Sequence, residues 1–477
     1  MQQTPQEQFN QRRQAHWDKV AKKLERWTGL GSYYQKRVAQ VYRFNIPPNQ
    51  EIMEIGCGSG NLIASLNPSF GLGIDISSNM VKRAKHLHPK INFIQSDAYQ
   101  PNVNQKFDFI ILSETINDLW DVQTTLENVH GLLKPNGRLI LNFFNRLWEF
   151  PLKIAALLNA AKPMLPQNWL TIEDTVNLLD LSGFETLRNW EEVLMPFPIP
   201  LIDSICNKFL VRFWPFHLLA MTHFSVARKK AESIADQPGK KVSVIVPARN
   251  ETGNIGNIFK RVPQMGDETE IIFVEGHSTD NTLEEIKDQI KKHPSIKASF
   301  FKQEGKGKGD AVRLGFSKAE GDILMILDAD LTMPPEYLPR FYKALTSGSG
   351  DFVNGVRLVY PMEKQAMRFF NLLGNKIFSL VFSFLLGQTV KDTLCGTKVL
   401  WKRDYDIIAK NRGYFGDFDP FGDFDLIFGA AKINLKIVDL PIRYRERVYG
   451  ETNIQRWRHG WLLLKMVLFA AQRIKFV

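Results

Sequence analysis

The chain has 477 residues, beyond the roughly 250 to 300 at which single cores stop growing, so two domains are expected. Its 44% hydrophobic and 23% charged residues exclude a disordered chain, a collagen and a disulfide scaffold; the scattered cysteines Cys57, Cys206 and Cys395 lack metal-ligand spacing and read as reduced. A net charge of +11 suits an anionic partner: nucleic acid, a phosphate ligand or an acidic membrane surface. The opening stretch, MQQTPQEQFNQRRQAHWDKV, has no apolar run after a basic one, so no secretory signal is expected and the location reads as cytoplasmic.

From Glu51 to Asn145 the apolar runs EIMEIG, GLGIDI, INFIQ, FDFIIL and RLILNFF alternate with helical patterns. Such alternation predicts a parallel sheet with helices on its faces. KVSVIVPARN, EIIFVEG, ASFFKQEG and DILMILDAD begin a second series with different turn sequences, which predicts a second, unrelated sheet. Between them AESIADQPGKK, Ala231 to Lys241, is small, polar and broken by Pro238 and Gly239, and reads as a linker. The expected architecture is α/β in two domains, residues 1–230 and 242–477, joined by 231–241.

In the first domain EIMEIGCGSGNL sets Gly56, Gly58 and Gly60 between a strand and a helical pattern, where glycine permits a tight turn and close approach of a ligand to the backbone. The next strand ends in Asp75, placed to accept both hydroxyls of a ribose, and a third ends in Asp97 and Ala98, beside an adenine position. With Glu54, these residues make the segment resemble the class I S-adenosylmethionine-dependent methyltransferases: EIGCGSG looks like their first motif, GIDIS the acidic second strand, SDA the adenine contact and LLKPNGRLILN the later turn. The resemblance implies a Rossmann-like sheet that binds S-adenosyl-L-methionine. Glu54 stands where the family often has Asp and keeps the carboxylate. No catalytic base is evident: Glu114, Asn117, Asp118 and Asp121 lie near the expected reaction centre but also suit capping of the following helix. His16, His130 and His223 are isolated and read as structural.

The second domain opens with Pro247, Ala248, Arg249, Asn250 and Glu251 at a strand end, where polar groups can line a nucleotide pocket. Its second strand ends at Glu275, and Asp280 follows at a helix start, where a cap is the simpler reading. Lys306 and Lys308 alternate with glycines before another helix, a turn suited to phosphate. LMILDADLTMPP then runs a buried strand into Asp328 and Asp330, which repel each other unless a positive group sits between them. Mg²⁺ or Mn²⁺, held by one or two carboxylates and substrate phosphates, would answer; the alternative is a solvated turn.

Taken together, P-A-R-N-E, E-G-H-S-T-D, G-K-G-D-A and D-A-D resemble the family-2 glycosyltransferases of the GT-A fold. The resemblance implies a nucleotide-sugar-binding domain in which Asp330 ligands the metal, Asp328 lies by the ribose or the metal shell, and Ala329 sits between them. Glu275-Gly276 departs from the family's two acids, which leaves the nucleotide base open. KDTLCGTK places Asp392, Cys395, Gly396 and Lys398 in the family's D-x-x-S-G-F-R segment, with Lys398 keeping a positive charge for a diphosphate but not arginine's bidentate fork. GDFDPFGDFD offers Asp417, Asp419, Asp423 and Asp425, and Asp423 or Asp425 matches the family's acceptor-site base. A phosphate acceptor would need no base. IVDLPIRYRERVYGETN, with Arg447, Gly450 and Glu451, is most similar to polyprenyl-phosphate sugar synthases of the dolichol-phosphate mannose synthase type.

Two apolar segments, NKIFSLVFSFLLG and GWLLLKMVLFAA, are shorter than the roughly twenty residues that cross a bilayer. The second is flanked by Arg456, Arg458, Arg473 and Lys475, so it reads equally as an interfacial helix at a membrane surface or as a core helix. Nucleic acid is the less favoured partner, because the aromatic residues sit in apolar runs rather than alternating with basic ones. The expectation is a bifunctional enzyme: metal-dependent, inverting sugar transfer, with polyprenyl phosphate as the acceptor, plus methyl transfer. The alternative is a glycosyltransferase for a soluble acceptor with a non-catalytic, methyltransferase-like scaffold.

Overall fold

The computed structural model describes residues 4–24, 31–99, 101, 103–157, 164–231, 239–360, 369–414, 422, 424–447, 449 and 456–477. The chain divides into two compact units, Met1–Lys230 and Ala231–Val477. Of the segment expected as a linker, 232–238 lies outside the described residues, and Lys241 already belongs to a strand.

The first unit carries β1 (Glu51–Ile55), β2 (Phe70–Asp75), β3 (Asn92–Gln95), β4 (Phe107–Ser113), β5 (Leu133–Phe144), β6 (Phe184–Glu192) and β7 (Thr222–Lys229). They form one sheet in the order β3-β2-β1-β4-β5-β7-β6. β1 to β5 run parallel, but β7 is antiparallel to both β5 and β6, so the sheet is mixed rather than wholly parallel. The inner strands are apolar throughout because both faces are covered. Ile52, Ile111 and Ile140 enter one core cluster, while Met53, Ile110 and Leu139 enter the other, as the two-residue period of a strand requires. The order reverses between β1 and β4, and the glycine loop leaves β1 at this switch point, where ligands of open α/β sheets bind.

The second unit carries β8 (Lys241–Ala248), β9 (Glu268–Glu275), β10 (Lys297–Lys302), β11 (Ile323–Ile326), β12 (Phe352–Val356), β13 (Lys398–Trp401) and β14 (Ile437–Pro441). Their order is β10-β9-β8-β11-β13-β12-β14. β13 is antiparallel to its neighbours β11 and β12, and β12 pairs β14 in parallel. The ends of β8, β9, β11, β12 and β14 and the start of β13 therefore meet at one edge of the sheet. The helix Lys308–Lys318 is pressed onto this sheet at Gly315, where a Cβ would lie 2.5 Å from Ile245 Cγ2. That close approach sets where the helix, and hence Lys308, sits.

Candidate functional sites

In the first unit Gly56, Gly58 and Gly60 all adopt positive φ, at 72°, 52° and 74°. A Cβ on Gly56 would strike Thr115 Oγ1 at 2.5 Å and one on Gly60 would strike Phe93, whereas one on Gly58 would meet nothing within 4 Å. Gly58 thus faces open space with its backbone exposed to a ligand. Asp75 fastens the loop: Oδ2 accepts from Gly58 N at 2.9 Å and Oδ1 from Ser77 N at 2.8 Å. Each oxygen keeps a further lone pair for a ribose hydroxyl. Burial pushes the Asp75 carboxyl up to about 6, against the hydrogen bonds from Ser77 and Gly58.

Glu54 is buried and accepts from Ile63 N at 3.0 Å, which ties β1 to the helix after the loop. Burial raises its pKa from 4.5 to about 8. A raised carboxyl pKa means the folded state holds the proton more tightly, so the stability gained by keeping it neutral is lost as pH rises from 4.5 through about 8. Glu54→Gln keeps an acceptor for Ile63 N and removes this ionisation. In thermal melts it is expected to raise Tm by about 5 °C near pH 9 and to change little near pH 4; equal shifts at both would refute the ionisation account.

The N-terminal helix Pro5–Lys23, started by a Thr4/Glu7 capping box, was assigned no role from the sequence. It crosses three strand ends. Asn10 Nδ2 donates to Asp97 at 2.5 Å, Trp17 Nε1 donates to Asp118 at 2.7 Å, and Asp18 accepts from Ser77 Oγ and Asn79 N. Arg13 ion-pairs with Asp118. Asp97 also accepts from Tyr99 N, and Ala98 packs at the edge of the core. The residues near the expected reaction centre divide as follows. Asp121 caps the helix Val122–Leu132 through Thr124 N, and Asn117 is buried, bridging Asn168 O and Phe144 N. Asp118 belongs to the Arg13 pair, and Glu114 stands at the end of β4 with φ 60°. His223 is buried and its pKa is pushed down to about 4 by that burial, which keeps it neutral.

In the second unit Pro247 and Ala248 complete β8, and the loop after it is laced to the loop after β9. Asn250 Oδ1 accepts from Thr279 N, Asp280 accepts from Thr282 N and Thr252 N, and Glu275 accepts from Ser278 N at 2.6 Å. Asp280 therefore serves two helix starts, as a cap does. Burial favours the protonated acid, but the hydrogen bonds from Thr282 and Thr252 outweigh it and hold Asp280 below the usual range.

Asp328 and Asp330 each have their own cation. Lys308 Nζ lies 2.6 Å from Asp328 Oδ1, and Arg447 Nη2 lies 2.6 Å from Asp330 Oδ2. Thr332 N and Oγ1 donate to the other oxygen of Asp330. Arg447 also reaches Glu251 Oε1 at 3.5 Å, so one guanidinium joins the end of β8 to the end of β11. Burial raises Glu251 to about 7, against the pull of Asn254 and Arg447. Ala329 is buried between the two acids. Gly396 is required beside them: a Cβ there would lie 2.1 Å from Asp328 Oδ2 and 2.2 Å from Lys308 Nζ. Gly396→Ala is expected to part that ion pair and lower the second unit's turnover by about tenfold without altering ligand binding by the first; unchanged turnover would show that the pair is dispensable.

Two of the expected site residues are enclosed. Lys398 is fully buried in β13 and donates to Cys395 O, and its charge helps hold Asp328 and Asp392 ionised. Asp425 is 4% exposed and lies 3.3 Å from Arg412 Nε and 4.0 Å from Arg313 Nη1, which balance its charge. Asp417, Asp419, Asp423, Gly450 and Glu451 lie outside the described residues. Sequence reasoning missed Arg357, at the end of β12, whose Nε and Nη2 grip Asp392 at 2.7 and 2.8 Å. The signal was there in FVNGVR, an apolar strand ending on a cation.

No group of three or more His, Cys, Asp or Glu side chains among the described residues forms a metal cage. Asp328 and Asp330 still supply the hard oxygen donors that suit Mg²⁺ or Mn²⁺ held jointly with a substrate's phosphates.

Residues 46–192 match a family described as Methyltransferase domain, and residues 243–406 match Glycosyl transferase family 2. A dolichol-phosphate mannosyltransferase of Pyrococcus furiosus is 31% identical over 47% of this chain, which spans 64% of that protein's length. A dolichyl-phosphate hexose transferase of Haloferax volcanii is 29% identical over 48% of this chain and 92% of its own. A crystal structure from Thermotoga maritima, described as a SAM-dependent methyltransferase and possible histamine N-methyltransferase, aligns with 46% of this chain and 99% of its own at 17% identity and a TM-score of 0.37.

Proposed function

We propose that this chain, which joins a methyltransferase domain to a family 2 glycosyltransferase domain, transfers a sugar from a nucleotide sugar to polyprenyl phosphate and a methyl group from S-adenosylmethionine to an acceptor. The observation that carries the sugar-transfer half is the gathering of Glu251, Asp328, Asp330, Lys308 and Arg447 at one sheet edge. Both dolichol-linked relatives favour a lipid phosphate as acceptor.

Asp330 and Asp328 would hold a Mg²⁺ or Mn²⁺ ion together with the donor's diphosphate, and such an ion stabilises charge on a departing phosphate. Lys308, at the start of its helix, adds a cation and a helix N-terminus near the same anion. An acceptor phosphate oxygen attacks the anomeric carbon as the bond from that carbon to the diphosphate breaks, and the nucleoside diphosphate leaves with the electron pair and inversion at carbon. The nucleophile is already anionic, so no base is needed. The occupied state of Asp425 between two arginines supports this reading.

In the first unit Gly58 and Asp75 would bind the cofactor's methionine and ribose portions, with Asp97 and Ala98 beside the adenine. Purified protein supplied with Mg²⁺, polyprenyl phosphate and a panel of nucleotide sugars should release nucleoside diphosphate and form one lipid-linked sugar. Release with a soluble saccharide in place of the lipid would favour the alternative acceptor, and no release with any pair would end the proposal. No described helix is long and apolar enough to cross a membrane. A peripheral position at the cytoplasmic face, through the helix Arg456–Ala470 and its basic flanks, is part of the same proposal.

A further inference from the structure

Among the described residues, more than half of the large apolar side chains that stand exposed come from two segments of the first unit, 147–157 and 197–219. Exposures reach 71% at Phe150, 83% at Leu157, 78% at Leu201 and 78% at Trp214. The segments meet at one end: Trp148 Nε1 donates to Leu219 O at 2.9 Å, and Asn145 Nδ2 donates to Leu218 O and Ala220 O. Large exposed apolar patches mark interaction sites.

Topology places this surface at the cofactor edge of the sheet. The first segment follows the end of β5. β6 runs antiparallel to β7, and β7 antiparallel to β5, so β6 is parallel to β5 and the 193–221 connection leaves from the same edge. Gly56 to Gly60 leave β1 at that edge too.

Charge favours one occupant. Arg146, Lys153 and Lys208 are exposed on these segments. The acids there are fewer, Glu149 and Asp203: Glu149 pairs with Lys153 at 2.8 Å, and Asp203 Oδ1 accepts from Ser204 N, so the segments carry an excess of positive charge. Aromatic and aliphatic tips with a cationic surround suit the interface of an anionic bilayer, where aromatic rings sit at headgroup level and basic groups meet the surface potential.

We propose that residues 146–157 and 197–219 form a docking surface for an anionic lipid bilayer. On the methyltransferase reading above, the methyl acceptor is then met at the bilayer, as a lipid or a lipid-linked molecule. This contact belongs to the first unit and is separate from the basic helix of the second.

The test uses the full chain with Cys206→Ser and a single introduced cysteine, Phe150→Cys or Leu218→Cys, carrying an environment-sensitive fluorophore; Leu468→Cys reports on the second unit. Vesicles of phosphatidylglycerol and phosphatidylcholine should shift both first-unit labels to the blue and shield them from iodide. A shift at residue 468 alone would overturn the proposal and assign membrane contact to the second unit. Shielding before vesicles are added would also overturn it, with a second copy of the chain as occupant if the shielding rises with protein concentration. In the expected case Leu157→Glu with Leu218→Glu weakens vesicle partitioning by about tenfold or more. Insertion is read without cofactor or acceptor, so its failure leaves the methyltransferase reading intact; that reading is judged separately by S-adenosylmethionine calorimetry.

Discussion

Asp330→Asn will lower sugar transfer by about 10²- to 10³-fold, the loss that follows removal of one preorganised electrostatic group from a site of developing charge. Asp330 takes three polar contacts in the free protein, from Thr332 N, Thr332 Oγ1 and Arg447. Asparagine retains an acceptor for Thr332 but neither the charge that balances Arg447 nor a hard anionic ligand for a dication. Rates of nucleoside diphosphate release, with and without chelator, check this. The variant and the chelated parent should fall to similar levels, and binding of S-adenosylmethionine should not change. A structural explanation is separable. Were the loss due to an unbalanced Arg447, the double change Asp330→Asn with Arg447→Met would restore turnover. The proposed role requires that it does not. An Asp330→Asn variant that turns over normally, with chelator harmless, would remove the metal-assisted mechanism altogether.

The pair of acids also shows how far sequence reasoning carries. Asp328 and Asp330 were legible because strand, turn and carboxylates are consecutive, and the question they pose, what positive group sits between them, is local. Its answer is not local. Arg447 is 117 residues from Asp330, and Lys308 reaches Asp328 only because Gly315 lets its helix close onto β8. Periodicity says nothing about such pairings. Asp425 shows the same limit: an acid in an aspartate-rich stretch reads the same in sequence whatever its partners, and Arg313 and Arg412 are not local to it. Lys398 kept the sign of the family's arginine, but its place within a buried strand directs it into the protein.

The first unit was easier at its loop and harder at its cover. Gly56, Gly58 and Gly60 lie on one turn, and all three need positive φ. The N-terminal helix holds on through the polar Asn10, Arg13 and Asp18 and, at its far end, through a short apolar stripe of Trp17, Val20 and Ala21 packed with Met80; its first half is almost wholly polar, so the hydrophobic period is too short to announce it. The two antiparallel pairings of β7 escaped notice because an inner strand with both neighbours reversed has the same apolar content as a parallel one.

Asp75→Ala should weaken binding of S-adenosylmethionine by about 10²-fold or more, measured by calorimetry, and leave sugar transfer untouched. The reasoning combines two losses. The carboxylate holds Gly58 N and Ser77 N, and hydrogen bonds to a charged group contribute about 1.5–3 kcal/mol each, so the variant loosens Gly58, whose Cβ side, unlike those of Gly56 and Gly60, is open. It also removes the acceptor for the ribose hydroxyls. Protonation of the native residue should mimic part of this. Burial raises the Asp75 carboxyl to about 6 in the free protein, so its proton is held more firmly than in the unfolded chain, and stability falls as pH rises through that range. Ligand binding has the opposite dependence. Cofactor that hydrogen-bonds the ionised acid expels the proton, so affinity should fall as pH drops below about 6 and proton release should appear in buffers of different ionisation enthalpy. In Asp75→Ala this pH dependence should vanish. A variant that binds S-adenosylmethionine as tightly as the parent, with the same pH profile, would mean that the loop after β1 is not the cofactor's seat and that the first unit serves the second as a scaffold.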